Sequence, residues 1–322
     1  MNIKRRSLLL AALAMLPLTG ALAQADFPSR PIRLVISFPP GSTSDLLARH
    51  LGEHVSKTLG QPVVVESKPG AQGVIAARAV VNSPKDGYTL FLGTNSSHAA
   101  YVHLIKQPKY DPIKDFTPIS QFTVNPLLLV VNAQLPVHSA QEFVKYAKER
   151  PGKLSFGTGN TGGLVAAQLL KAQAGIDAVG VSYPGTAQAT TDLVAGRLDF
   201  MMIDPLVIRS FVEVGKVRVL GLTSTQRLPS MPEVTPLAEA GLPGYSYASW
   251  SGLFGPAGMP PEVTRRLSQA FTKAVTDPAT EKYFADLGFI ATSSKPEAFH
   301  AFVQDQITVW GRLTKEAGLV AQ

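Results

Sequence analysis

Apolar and polar positions along the chain repeat one arrangement five times. A short apolar strand ends in a loop of Gly, Ser, Thr, Asn or Ala, and a helix is predicted to start from that loop. Ile32–Phe38 runs into Pro40-Gly41-Ser42-Thr43-Ser44-Asp45, Val63–Ser67 into Pro69-Gly70-Ala71-Gln72-Gly73, and Thr89–Leu92 into Gly93-Thr94-Asn95-Ser96-Ser97. Leu154–Phe156 runs into Gly157-Thr158-Gly159-Asn160-Thr161-Gly162-Gly163, and Ala178–Tyr183 into Pro184-Gly185-Thr186. Alternating strands and helices predict an α/β fold with mixed, mostly parallel sheets flanked by helices. The clearest helix carries Leu47, Leu51, Val55 and Leu59 at four-residue spacing. Asp45 is placed to cap it, and Gly60 with Pro62 stops it. Further along, Asp115–Ile119 is expected to open a connector and Pro126–Val131 to form a buried strand. Phe143–Lys148 is expected to be a helix, as is Glu262–Val275, opened by Pro261.

A helix N-terminus presents unpaired N–H groups and a partial positive charge, which suits an anion. Five such loops, none carrying a nucleophile beside its base, predict a site that holds a small anion without transforming it.

The N-terminus changes where that site is expected to work. Lys4, Arg5 and Arg6 precede an apolar run from Ser7 to Leu18, and Ala21-Leu22-Ala23 is an A-x-A cleavage pattern. Residues 1–23 therefore read as a secretory signal peptide, too short in its apolar run to span a membrane. Arg5-Arg6 also fits a twin-arginine signal, but paired basic residues are common in ordinary signals. Cleavage takes three of the 30 Lys and Arg with it and leaves 27 basic against 23 acidic residues. These charges are scattered, so nucleic-acid binding is not expected. The absence of cysteine excludes disulfides, thiolate catalysis and Cys-based metal sites. The exported chain is expected to be soluble and large enough for two domains.

Two motifs resemble catalytic ones. Gly157-Thr158-Gly159-Asn160-Thr161-Gly162 matches G-x-G-x-x-G, but Asp177 lies before the next strand instead of at its end, where a dinucleotide site needs it. His50-Leu51-Gly52-Glu53-His54 matches H-x-x-E-H, so His50, Glu53 and His54 define an alternative reading as a metal-dependent hydrolase of the cell envelope. That site would need a third ligand, and both histidines are expected on the solvent side, opposite Leu47, Leu51 and Val55.

Taken in order, the segments resemble the Bug family, or TctC type, of periplasmic solute-binding receptors of tripartite tricarboxylate transporters. The resemblance runs through Phe27-Pro28-Ser29-Arg30-Pro31-Ile32, Phe38-Pro39-Pro40-Gly41 with Asp45, Pro69–Gly73, and Asp86-Gly87-Tyr88-Thr89-Leu90. It continues through Asp115–Ile119, Ser155–Gly159, Tyr183-Pro184-Gly185, Gly196 with Asp199, Pro232–Gly241, and Trp250 with Gly252. It implies a two-lobed periplasmic-binding-protein clamp that closes on a carboxylate held by backbone groups, hydroxyls and water. It also implies a discontinuous first lobe of residues 24–127 plus 249–322, with a second lobe of 128–248. The implied partners are a small carboxylate and the membrane components of a tripartite tricarboxylate-type transporter. No cofactor is implied, and a monomer is expected. A free-standing carboxylate sensor is the other non-enzymatic reading.

The expected ligand-binding residues are Phe38, Gly41, Ser42, Thr43, Ala71, Gln72, Gly73, Asn95 and Ser96 from the first three loops. Thr158, Gly159, Asn160, Thr161, Thr186 and Asp204 complete the set. Trp250 and Phe38 are expected to wall the cleft or, as aromatic residues more often do, to belong to the core. Asp45 is expected to bridge the first loop to the Ala71–Gly73 loop, and Asp204 to cap a helix or to face the cleft and take an ammonium. Ser42, Gln72 and Pro184 depart from the family's usual Gly-Gly, Ala-Gly-Gly and Tyr-Lys-Gly loops, so no member's ligand carries over directly.

Overall fold

The computed structural model describes residues 27–321 apart from Gln226 and Pro229, and the backbone but not the side chain of Gln72. The expected signal peptide, its cleavage site and a mature start at Gln24 lie outside the described residues.

The chain begins with β1 (Ile32–Ile36), α1 (Thr43–Leu59), β2 (Val63–Ser67), α2 (Val74–Val81) and β3 (Thr89–Thr94). After the short α3 (Tyr101–Leu104) comes β4 (Phe116–Asn125), a ten-residue strand where a connector was expected. Pro118 masks it in sequence, yet that residue sits at a register shift in the pairing with a later strand. The chain continues through β5 (Leu128–Asn132), α4 (Ala140–Lys148), β6 (Leu154–Thr158), α5 (Thr161–Ala174), β7 (Ala178–Ser182) and α6 (Thr186–Val194). It then forms β8 (Phe200–Ile203), α7 (Pro205–Glu213) and β9 (Val217–Leu222). It closes with β10 (Ser249–Pro256), α8 (Pro261–Val275), α9 (Pro278–Asp286), β11 (Ile290–Ala291) and α10 (Pro296–Glu316).

These strands form two mixed sheets, each flanked by helices. The first has the order β11-β4-β10-β3-β1-β2, the second β7-β6-β8-β5-β9. Parallel pairing is confined to β2-β1-β3 and β7-β6-β8. The remaining pairs are antiparallel, a larger share than simple strand–helix alternation predicts. The parallel segments carry the five Gly/Ser/Thr loops at their C-terminal edges, where open α/β sheets bind ligands.

The local reasons for the elements are direct. Ser42 caps α1, its Oγ accepting from Asp45 N at 3.3 Å, and Gly60 ends the helix in the left-handed conformation at φ 71°. The cap is therefore Ser42, three residues before the Asp45 expected in that role. Leu47, Leu51 and Val55 of α1 are buried on the first sheet with Leu34, Leu92 and Phe271. A second core runs from Phe91 and Trp250 to Phe156 and Phe200, so one apolar cluster spans both sheets. Trp310 of α10 is fully buried and meets Tyr247 edge-on at 5.6 Å, which ties α10 to the segment leading into β10.

Candidate functional site

Between the loop edges of the two sheets lies a cleft of about 820 Å³, within the range of small-molecule sites. Phe38, Gly41, Ser42 and Thr43 line it from the first loop, Ala71 and Gly73 from the second, and Asn95 and Ser96 from the third. Thr158, Gly159, Asn160 and Thr161 face them from the other sheet, with Thr186 and Asp204. Trp250 lines the cleft but is only 2% exposed, so it is core first and wall second. Thr94, Asn125, Ser249, Leu206 and Phe289 also line the cleft. Thr94 belongs to the third loop but was not among the expected ligand residues; Asn125, Ser249, Leu206 and Phe289 stand at strand ends, on α7 and before β11, outside any glycine-rich loop.

In the first loop, the Asp45 carboxylate accepts from Gly41 N at 3.0 Å and pairs with Arg49 one turn along α1, also at 3.0 Å. Burial alone would raise this carboxyl. The Arg49 guanidinium and the Gly41 N–H outweigh it and hold the group below the usual range. The expected bridge to the Ala71–Gly73 loop is therefore corrected: Asp45 closes its own loop, because Arg49 offers a charge-assisted partner within the same helix. The two loops are instead joined at their bases, where Ser67 Oγ donates to Phe38 O at 2.6 Å and Lys68 N to Ile36 O at 2.9 Å.

Two of the five loops do not open directly into an α-helix. Residues Ala71–Gly73 form one 3₁₀ turn before α2, with Ala71 at φ 46° and Gly73 at φ 92°. After β3 the chain enters a π-type turn, Ser96–Ala100, before α3. That turn inserts His98 flat against Phe254, ring centroids 3.7 Å apart, and burial pushes the imidazole down to about 3. His98 Nδ1 lies 2.9 Å from Ser97 Oγ, but both side chains are fully enclosed and present no nucleophile to the cleft.

The other sheet brings its two loops into contact. Asn160 caps α5, its Oδ1 accepting from Gly163 N at 2.8 Å, while its Nδ2 donates to Thr186 Oγ1 at 3.3 Å. A Cβ at Gly159 would lie 2.1 Å from Thr186 N, so only glycine allows the β6–α5 loop this close to the start of α6. Asn160 thus caps its helix and also joins the two N-termini.

Towards the β4–β5 and β9–β10 junctions, Thr94 Oγ1, Asn95 Nδ2, Asn125 Oδ1, Tyr247 Oη and Trp250 Nε1 are buried without a hydrogen-bond partner in the protein. Buried polar atoms are ordinarily satisfied, so such a cluster is a feature to be explained. No Lys, Arg or His lines the cleft among the described residues. Arg49 and Lys68, which follow the first strand's loop and β2, are paired with Asp45 and Glu66. Asp204 is half-buried at the start of α7. It holds the cap position with its backbone, but its side chain makes no capping bond. Burial pushes its carboxyl up to about 6.

The H-x-x-E-H residues stand apart from the cleft. His50 and His54 do not face solvent as expected. Both are half-buried, and His50 packs against α9, stacked on Tyr283 at 4.2 Å with its Nε2 3.0 Å from Thr280 Oγ1. The apolar stripe of α1 is covered by the sheet, and α9 covers the next face. No group of three or more His, Cys, Asp or Glu among the described residues is arranged to hold a metal.

What the cleft offers chemically is a ring of neutral N–H and O–H donors. The family model described as tripartite tricarboxylate transporter family receptor, TctC, matches residues 47–319. A Pseudomonas sp. relative, described as a UPF0065 protein in the tcbD-tcbE intergenic region, is 35% identical over 325 residues, covering 99% of this chain and 96% of the relative. The solved structure of Rhodopseudomonas palustris Rpa4515 with adipate is 31% identical with a TM-score of 0.89, over 92% of this chain and 100% of its own. That of MatC from Rhodopseudomonas palustris with bound malate is 32% identical with a TM-score of 0.82, over 89% and 99%. The family model alone spans most of the chain and the relatives match it nearly end to end: the chain belongs to the tripartite tricarboxylate transporter family receptors, the TctC family.

Proposed function

We propose that this chain is a periplasmic receptor that captures a small carboxylate in its interlobe cleft and presents it to the membrane components of a tripartite tricarboxylate-type transporter. One observation carries the reading: loops from both sheets converge on one cleft with neutral donors and no cationic side chain. A carboxylate accepts several hydrogen bonds, and those to a charged group are worth roughly twice neutral ones. Ser42, Thr43, Thr158, Thr161 and Thr186, with the N–H groups around Gly41, Gly73 and Gly159, are the proposed donors. Phe38 and Trp250 form the wall. The adipate and malate in the two Rhodopseudomonas palustris structures favour a dicarboxylate over a larger anion.

The same reading places export before function, with cleavage after Ala23. It assigns residues 24–127 and 249–322 to one lobe and 128–248 to the other, which close on the ligand as a monomer. It includes no catalytic step, because the cleft pairs no nucleophile with a base. A thermal-shift series with adipate, malate and their diamides tests it, since a ligand specific to the folded state raises Tm by mass action. At least one dicarboxylate should raise Tm in proportion to the logarithm of its concentration, and its diamide should not. No shift with any carboxylate, or equal shifts with acid and amide, would overturn the reading.

A further inference from the structure

Asp204 is the feature of the cleft that carboxylate capture leaves unexplained. It stands between β8 and α7 and is the only charged side chain lining the cleft among the described residues. An ionised carboxylate there would repel the anion that the loops are built to hold, and the repulsion is strong in a desolvated site. Its side chain is not spent on capping α7.

The groups around it are neutral or already engaged. Tyr247, from the segment before β10, is close enough for the Asp204 charge to help raise its phenol. The Tyr247 hydroxyl and Asn95 Nδ2 meet over Gly162, where a Cβ would lie 2.7 Å from the first and 3.8 Å from the second. Both are buried without partners. Across the cleft, Tyr183 donates to Asp192 of α6, which also binds Arg197. On the α9 side, Gly288 packs against Pro205, Phe289 lines the cleft, and Lys282 is paired with Asp286. Arg209 and Glu213 lie further along α7 and do not line the cleft. No cation stands ready to neutralise Asp204.

Resting on the receptor reading above, we propose that Asp204 takes a proton from solvent as the ligand binds and donates it, as a carboxylic acid O–H, to the second carboxylate of a dicarboxylate. One carboxylate of the ligand sits at the helix N-termini. The other sits at the hinge-side end, between the Asp204 acid, the Tyr247 hydroxyl and the Asn95 amide, all of them neutral donors. Burial already pushes the Asp204 carboxyl up to about 6, so one proton is within reach at neutral pH, and an adjacent anion favours its uptake further.

Calorimetry with adipate as the probe, in phosphate and in Tris between pH 6 and pH 8, tests this. The difference between buffers should report close to one proton taken up per adipate at pH 7.5. Kd should weaken by about tenfold between pH 7 and pH 8, and level off towards pH 6, as linkage requires for one proton bound with the ligand. D204N, which keeps the shape and a donor, should bind adipate with no proton uptake and little pH dependence. Circular dichroism and the melting transition establish that the variant is folded. Adipate or malate binding with no proton uptake would overturn this proposal and leave the receptor reading standing. Failure of every dicarboxylate to bind would overturn both. Tighter binding of 6-aminohexanoate than of adipate would overturn it in favour of Asp204 as an ammonium acceptor.

Discussion

Thr158 shows what one residue contributes at this site. It ends β6, is 6% exposed and lines the cleft. Its position before Gly159 could be read from sequence as a donor in a glycine-rich loop, and the structure places it on the cleft wall. Because a hydrogen bond to a charged group is worth roughly 1.5–3 kcal/mol, Thr158→Ala should cost about tenfold or more in dicarboxylate affinity. Stability should change by no more than about 1 kcal/mol, since Thr158 caps no helix. Titration calorimetry and urea unfolding on the same variant separate the two effects. Parental affinity would mean that the β6–α5 loop is structural. Other residues were illegible for physical reasons. Tyr247 and Asn125 belong to no motif, and only packing leaves their polar atoms buried without a partner.

At the level of elements, the loops differ more than their sequences do. Three open into α-helices, one into a 3₁₀ turn and one into a π-type turn. Gly, Ser, Asn and Thr mark a loop in each case, but the geometry that follows depends on what packs behind it, as His98 does behind β3. Asn160 should therefore behave differently from a simple cap. Asn160→Ala removes the bond to Gly163 N and the link to Thr186, so it should cost about 1–2 kcal/mol of stability. It should also weaken ligand binding, because both N-termini lose their alignment. Asn160→Ser keeps a neutral capping oxygen and loses the amide that reaches Thr186. If it retains full affinity while Asn160→Ala does not, the link is dispensable and the cap alone matters. On α1, replacing His50 and His54 together with Ala should leave adipate affinity unchanged but lower stability by about 1–3 kcal/mol, through the lost stacking on Tyr283 and the Thr280 bond. Solvent-facing histidines would have shown no such loss, so chemical denaturation of the double variant checks the packing directly. Burial, opposed in part by neighbouring charges, lowers the His50 imidazole. The unfolded chain then binds the proton more readily than the native one, and the His50 contribution should fade as pH drops below about 6.5.

For the whole molecule, the chain passes between the sheets at the β4–β5 and β9–β10 junctions, while α10 and the Gly288–Pro205 contact bridge them elsewhere. If the proposed lobes hinge at those junctions, the molecule should compact as they close. Small-angle scattering should show a smaller radius of gyration with saturating adipate than without it, and a larger change for the parent than for Thr158→Ala at equal ligand concentration. An unchanged scattering curve at full occupancy would rule out closure by lobe motion. Much of this architecture was written locally in the chain. Strand–loop–helix units, glycine and proline stops, and the donor-rich loops follow from period, turn chemistry and helix-end electrostatics, which act over a few residues. That is why α1, β2, β6 and α8 stand close to where sequence placed them. The tertiary structure alone decided the rest. It made a strand of Phe116–Asn125 by pairing it with β10, more than a hundred residues away. It turned Asp45 towards Arg49, packed His50 of the H-x-x-E-H motif against α9, and set Asp204 in a cleft without a cation. Each outcome depends on which distant surface comes to cover a residue, and burial and pairing partners are fixed only when the two sheets have packed.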